Sequence, residues 1–188
     1  MTTMTTLDSP VAEATWSIRP EQPIDLDLIH ELHREAFAGP TMADLVDAVR
    51  SSASFVPTLS LVAVATDGTV LGHGLMSRVD LVPDRDDAPR EPVLALGPLA
   101  VLPPHQGRGI GTALVTELLA EADTQPEALS VVHGAPTLFA PFGYRPAEEL
   151  GLRGPFDDDD PGFSVRIRPG ADGPGPGTVS LPAGFAPA

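Results

Sequence analysis

The chain has 188 residues, with 26 acidic and 11 basic side chains; every basic one is arginine, and lysine and cysteine are absent. Without lysine there is no P-loop lysine, Schiff base or pyridoxal phosphate anchor; without cysteine there is no thiol nucleophile, disulfide or thiolate-held metal. A net charge of −15 opposes phosphate backbones and anionic lipid, which argues against a general nucleic-acid or membrane-surface binder; it is compatible with a cationic partner such as an amine, and equally with an acidic surface that serves solubility alone.

Residues 1–14 are Thr-rich without an apolar period and read as a flexible lead-in with no signal peptide. No apolar run approaches the ~20 residues a membrane helix needs, so the cytoplasm is the expected location. Residues 15–19 suit a short strand closed by Pro20. Leu28, Ile29, Leu32, Ala36 and Phe37 recur at helical spacing over residues 25–37, and Gly39-Pro40 stops that helix. A second helix over 42–52 presents Leu45, Val46 and Val49. A strand at 59–65, the turn Asp67-Gly68 and a partner at 69–79 form a hairpin. After a polar loop, residues 93–101 are a near-continuous apolar run typical of a strand covered on both faces.

A glycine-rich stretch follows, and then a helix to about residue 122 with Ile110, Leu114, Val115, Leu118, Leu119 and Ala122 on its buried face. A short strand at 128–132 leads into a Gly/Pro/aromatic segment, 133–144, with a helical turn in it. Residues 163–168 read as a strand, the acidic run at 157–160 as a solvated loop, and residues 169–188 as a Pro/Gly-rich tail with an edge strand at 178–181. The fold class is therefore α/β, with one mixed sheet between helices. A single domain spans 15–168.

Gln106-Gly107-Arg108-Gly109-Ile110-Gly111 lies between the buried strand and the helix. Its glycines let backbone N–H groups approach an anion, and the helix N-terminus and Arg108 add positive charge, so the loop suits a pyrophosphate. A Walker A loop is ruled out by the missing lysine. A dinucleotide fingerprint would need a third glycine where Thr112 stands.

This stretch resembles the central Gln/Arg-x-x-Gly-x-Gly/Ala motif of the GNAT superfamily of N-acetyltransferases, and the preceding Leu96-Gly97-Pro98-Leu99-Ala100-Val101 resembles the family's fourth strand. The likeness extends through Leu71-Gly72-His73-Gly74 to Phe142-Gly143-Tyr144-Arg145-Pro146, closest to a bacterial subgroup of acetyltransferases without assigned substrates. It implies a mostly antiparallel sheet whose fourth and fifth strands splay around acetyl-CoA. Gln106, Gly107, Arg108, Gly109, Ile110, Gly111 and Thr112 would hold the pyrophosphate. Leu99, Ala100 and Val101 would pair with the pantetheine arm, and the backbone N–H near Leu99 would stabilise the oxyanion.

The family's usual acid, a tyrosine four residues before Gly143, is replaced by Phe139, and the single tyrosine, Tyr144, takes a packing position. His133 is the leading general base because an imidazole ordinarily titrates near neutrality. His73 is a second candidate if it faces the acceptor pocket; a structural histidine is the competing reading for each. His105 reads as an exposed turn residue. His30 and His33 lack the carboxylate a metal site needs, and Glu91 and Asp87 suit either a cationic acceptor or plain solvation.

The expected function is acetyl-CoA-dependent transfer to the primary amine of a small molecule by direct attack in a ternary complex. The alternative is an acyl-CoA-binding sensor with little transferase activity, and a cofactor-free interaction protein is third. A homodimer is compatible with the family likeness, and the Ala/Gly/Pro/Arg-rich composition suits a GC-rich bacterial genome.

Overall fold

The protein is described by a computed structural model covering residues 16–154 and 162–180, so the acidic run at 157–160 lies outside the described residues. Its elements are β1 (Trp16–Pro20), α1 (Leu26–Ala36), α2 (Thr41–Arg50), β2 (Phe55–Ala65), β3 (Val70–Pro83), β4 (Glu91–Val101), α3 (Ile110–Ala122), β5 (Leu129–His133), α4 (Pro136–Phe139), β6 (Arg145–Pro146), β7 (Leu152–Arg153), β8 (Phe163–Ile167) and β9 (Gly177–Ser180). They build one sheet in the order β1-β2-β3-β4-β5-β8-β6, with β9 added to β3 and β7 to β9. Every pairing is antiparallel except β4 with β5 and β7 with β9.

Several strands run further than alternation in the sequence suggests. β2 starts at Phe55 and passes through Pro57, which falls in a register irregularity between Phe55 and Ser60. Proline is tolerated there because a bulge releases its neighbours from ladder bonding. β3 continues to Pro83 because its first half pairs with β2 and its last four residues pair with β9. Residues 177–180, within the segment read as a tail with an edge strand, are flanked by β3 on one side and β7 on the other, and Val179 is buried in the core.

The two faces of the sheet are covered differently. α3 lays Ile110, Leu114, Val115 and Leu118 over β2–β4, burying them with Leu61, Leu71, Met76, Leu96 and Val132. Gly72 and Gly74 are what allow that approach. A Cβ on Gly74 would lie 3.1 Å from Leu118 Cδ1 of α3 and 2.7 Å from Leu99 Cδ1 of β4, and one on Gly72 3.0 Å from Ile110 Cγ2. The opposite face is covered by α1 and α2, whose Ile29, Leu32, Val46 and Val49 meet Val62, Val70, Leu75 and Ala100. No helix among the described residues is long and apolar enough to cross a membrane.

Candidate active site

β4 and β5 are parallel and pair only through Leu94–Leu96 with Ser130–Val132, after which they part. The break coincides with a register shift on the other side of β4, where the three-residue step from Leu96 to Leu99 opposes the two-residue step from Met76 to Gly74. The extra residue falls at Gly97-Pro98, with Gly97 at φ +125°. Pro98 has no N–H, so the first main-chain donor after the bulge belongs to Leu99.

Strand parity decides where that donor points. Leu102 N–H donates to Leu71 O at 2.9 Å, so Leu102 and Ala100 turn their polar groups toward β3. Leu99 and Val101 therefore face the gap between β4 and β5. The expectation that Ala100 joins them against a pantetheine arm does not survive this parity, because Ala100 lies in the hydrogen-bonding phase with His73. A thioester carbonyl in the gap would meet Leu99 N–H in the way an oxyanion hole meets its oxyanion.

The glycine loop lies at the end of the gap. Gln106 donates its side-chain amide to Val101 O at 3.0 Å and its backbone N–H to Pro103 O at 3.3 Å, so it fastens the loop to β4. Gly107 and Gly109 have φ of +72° and +81°, and a Cβ at either would meet nothing within 4 Å. The left-handed turn is thus closed to ordinary side chains, while the space beside it is open to a ligand. Gly109 caps α3; the first helical bond runs from Ala113 N–H to Gly109 O, leaving the N–H groups of Ile110, Gly111 and Thr112 without helical partners. No acidic residue lies in that first turn, and the exposed Arg108 makes no ion pair among the described residues, so the turn itself carries no carboxylate to repel an anion. These features fit a CoA pyrophosphate.

The aromatic segment after β5 contributes no acid. Phe139 is buried with its ring over Gly134, where a Cβ would lie 2.8 Å from Phe139 Cε2, and it meets Tyr144 edge-on with centroids 5.9 Å apart. The Tyr144 hydroxyl is hydrogen-bonded to Ser130 Oγ at 2.9 Å, and burial pushes its pKa up to about 12. It is a packing residue, as its position in the motif implied.

The histidines separate sharply. His133 is exposed at the C-terminal end of β5, beside the gap. It alternates with Leu129 and Val131 and so projects from the face opposite α3. His73 does not face an acceptor pocket. It is fully buried, with Nδ1 2.8 Å from His33 Nε2 and Nε2 2.9 Å from Ser60 Oγ. His105 is half-buried rather than exposed, with no partner for its Nδ1. His30 bonds Asp47 at 2.8 Å. Glu91 opens β4 at the end remote from the gap, and Asp87 lies in the preceding loop with φ +61°.

Sequence reasoning did not find Glu21, Arg50 or Ser60. Arg50 clamps Glu21 with bonds of 2.7 and 3.0 Å, and Ser60 Oγ donates to Glu21 Oε2 at 2.6 Å. Burial pushes the Glu21 carboxyl up, but hydrogen bonds from His73, Arg50 and Ser60 outweigh it and hold the group well below the usual carboxylate range. Nothing local marks these residues, since their partners lie far away in the chain.

Residues 26–136 match the model of the acetyltransferase (GNAT) family. The chain belongs to that family. It is an acetyl-CoA-dependent acetyltransferase. It is similar to the uncharacterised N-acetyltransferase YhbS of Escherichia coli, with 32% identity over 148 residues, 79% of this chain and 84% of that one. It is similar also to YjhQ of the same organism, with 32% identity over 70% of this chain and 71% of that one. The crystal structure of E. coli YhbS in complex with CoA superposes with a TM-score of 0.78 at 29% identity, covering 90% of this chain and 91% of that one. A GNAT acetyltransferase from Brucella melitensis in complex with acetyl-CoA superposes with a TM-score of 0.73 at 30% identity, covering 92% and 99%.

Proposed function

We propose that the protein acetylates the primary amine of a small molecule by direct attack on acetyl-CoA within a ternary complex. The observation that carries this reading is the parting of β4 and β5 beyond Leu96 and Val132, with Leu99 N–H turned into the gap and the glycine loop at its end. The free amides from Gly107 to Thr112, with Arg108, hold the pyrophosphate, and Leu99 and Val101 pair with the pantetheine arm. The amine lone pair adds to the thioester carbonyl, whose oxygen gains negative charge against Leu99 N–H. The C–S bond then breaks, CoA leaves as thiolate, and the proton lost by nitrogen passes to His133 and on to solvent. A thiol with a pKa near ~8.5 leaves adequately without an acid, which suits a site where Phe139 replaces a phenol. No covalent acetyl-cysteine route exists in a chain without cysteine.

The small-molecule acceptor, a cytoplasmic location, the absence of nucleic-acid and membrane partners, and a homodimer belong to the same reading. A second reading, an acyl-CoA-binding sensor, is favoured by one observation: Phe139 and the locked Tyr144 leave no phenol at the leaving group.

Titration calorimetry with acetyl-CoA, followed by thiol release with an amine panel at pH 6–9, separates the two readings. Transfer predicts binding on the order of micromolar Kd and a His133→Ala variant that binds equally well but turns over about 10²-fold more slowly. Tight binding with no turnover of any amine favours the sensor. No binding by the folded protein defeats both.

A further inference from the structure

Five polar side chains from five segments meet in the core opposite α3. Arg50 clamps Glu21, Ser60 Oγ donates to Glu21, His73 Nε2 meets Ser60 Oγ, and His33 Nε2 meets His73 Nδ1. The proton positions follow from the donors. Ser60 gives its only hydrogen to the carboxylate, so its oxygen accepts from His73 Nε2–H, which also lies 3.4 Å from Glu21 Oε2. His73 Nδ1 is then an acceptor and takes His33 Nε2–H. Burial lowers the pKa of both rings, which favours their neutral forms. Burial, the nearby His73, Arg50 and His30 together push the His33 pKa down to about 3.

A buried polar chain of this length is less favourable than an apolar core unless its geometry is needed. Its visible consequence is to fix the plane of the His33 imidazole. Phe37, just past the end of α1, stacks on that ring with centroids 5.9 Å apart and planes 7° from parallel, yet Phe37 is 46% exposed. One face of the phenyl ring is held by the core and the other is presented to solvent.

The place of this ring in the fold is specific. α1 packs across both β3 and β4. His73, under His33, pairs with Ala100, whose neighbours Leu99 and Val101 face the gap. On the other side of the sheet the approach is filled by α3 and by Phe139, Phe142 and Tyr144. An acceptor therefore reaches the thioester from the side of α1, where His133 also projects.

We infer that Phe37, held flat by His33, is the wall against which the acceptor's carbon skeleton packs, and that the acceptor is a primary amine bearing a planar apolar group. The wall is made of uncharged rings, so it does not repel an ammonium ion arriving from solvent. The Glu21 carboxylate is already occupied by Arg50 and Ser60, so a second cationic group on the acceptor would find no counter-ion within this cluster. Stacking or edge contact with a fixed phenyl ring favours a planar apolar group over a short flexible chain. Phe37 is thus a specificity residue, and His33 positions it. The inference rests on the transferase reading.

The test compares 2-phenylethylamine with n-butylamine as acceptors for the wild type, Phe37→Ala, Phe37→Tyr and His33→Gln, with acetyl-CoA affinity measured separately for each. The wild type is expected to prefer 2-phenylethylamine by about tenfold in kcat/KM. Phe37→Ala should bring that ratio to within about twofold by raising KM, at unchanged acetyl-CoA affinity, while Phe37→Tyr restores it. His33→Gln should shrink the ratio partway. If that variant does not fold, the half-exposed Phe37 pair still decides. A wild type without the preference, turnover of neither amine by a protein that binds acetyl-CoA, or a preference untouched by Phe37→Ala overturns the inference and leaves the cofactor site standing. Failure to bind acetyl-CoA overturns the transferase reading as well.

Discussion

The two sides of the gap are built by different means. On the proposed cofactor side, residues 97–112 offer mostly backbone: a bulge at Gly97-Pro98, two left-handed glycines and the unpaired amides that begin α3, with Gln106 fastening the loop and Arg108 adding charge. On the α1 side, Glu21, His33, Arg50, Ser60 and His73 act through side chains drawn together from separate segments. A site built mostly of backbone tolerates many changes of side chain and is most vulnerable where a left-handed glycine is lost. A side-chain network is sensitive at every member, because removing one leaves the others buried and unpaired.

The comparison breaks first at Glu21. The Glu21 side chain is 8% exposed and that of Arg50 15%. Glu21→Ala leaves the guanidinium only its 2.7 Å bond to Asp47 and removes the acceptor of the Ser60 hydroxyl, so it should destabilise the fold by about 3 kcal/mol in urea unfolding. Provided it remains folded in water, acetyl-CoA affinity should be unchanged. Equal loss of cofactor binding would mean that the two sides are not separable. Gly109→Val should do the reverse. Its φ of +81° disfavours a β-branched residue, and the new side chain enters the space beside the free amides. We expect acetyl-CoA affinity to fall by about 100-fold or more, with a smaller change in Tm.

Acid sharpens the contrast. His33 and His73 are held neutral in the fold, chiefly by burial, while in the unfolded chain they titrate near ~6.5. Above that pH neither state is protonated and stability is full. Below it the unfolded chain takes up protons that the folded chain refuses, so stability falls by roughly 1.4 kcal/mol per pH unit on account of His33 until that ring titrates near 3, and His73 adds a loss of the same sign. Glu21, held low by its hydrogen bonds, adds a further loss once pH falls below the ordinary carboxylate range. Urea midpoints at pH 7.5, 6 and 5 check this, and a flat series would mean that the imidazoles are not buried neutral. The smallest effect belongs to Tyr144→Phe. Loss of the bond to Ser130 should destabilise by about 1 kcal/mol and leave turnover intact. A tenfold drop in kcat would instead make Tyr144 the missing acid.

The shape of the glycine loop could be read from sequence because everything that sets it lies in consecutive residues: the spacing of 107, 109 and 111, an apolar strand before, a helical period after. The packing role of Tyr144 was legible from its place beside Gly143. The network was not, because Ser60 meets His73 across 13 residues, Glu21 meets Ser60 across 39, and His33 meets His73 across 40. Alternation in the hairpin shows that His73 and Gly72 face opposite ways, but not which face α1 will cover. The pairing phase that turns Ala100 away from the gap depends on the bulge at Gly97-Pro98, and the sequence marks that place without stating its register. β3 outran its expected end for a similar reason: Asp80 reads as a strand stop until Ser180 arrives opposite it.

That last pairing has a bearing on how the protein is made. Asp80 and Ser180, Leu81 and Val179 are neighbours in the sheet but about a hundred residues apart along the chain. While the polypeptide is being synthesised, the lower half of β3 must wait with one edge unpaired until residues 177–180 leave the ribosome and the Pro/Gly strap before them closes the loop. The catalytic half of the sheet, whose strands β2, β3, β4 and β5 are all translated earlier, can assemble during that interval, and the seam at β9 is the step that completes it.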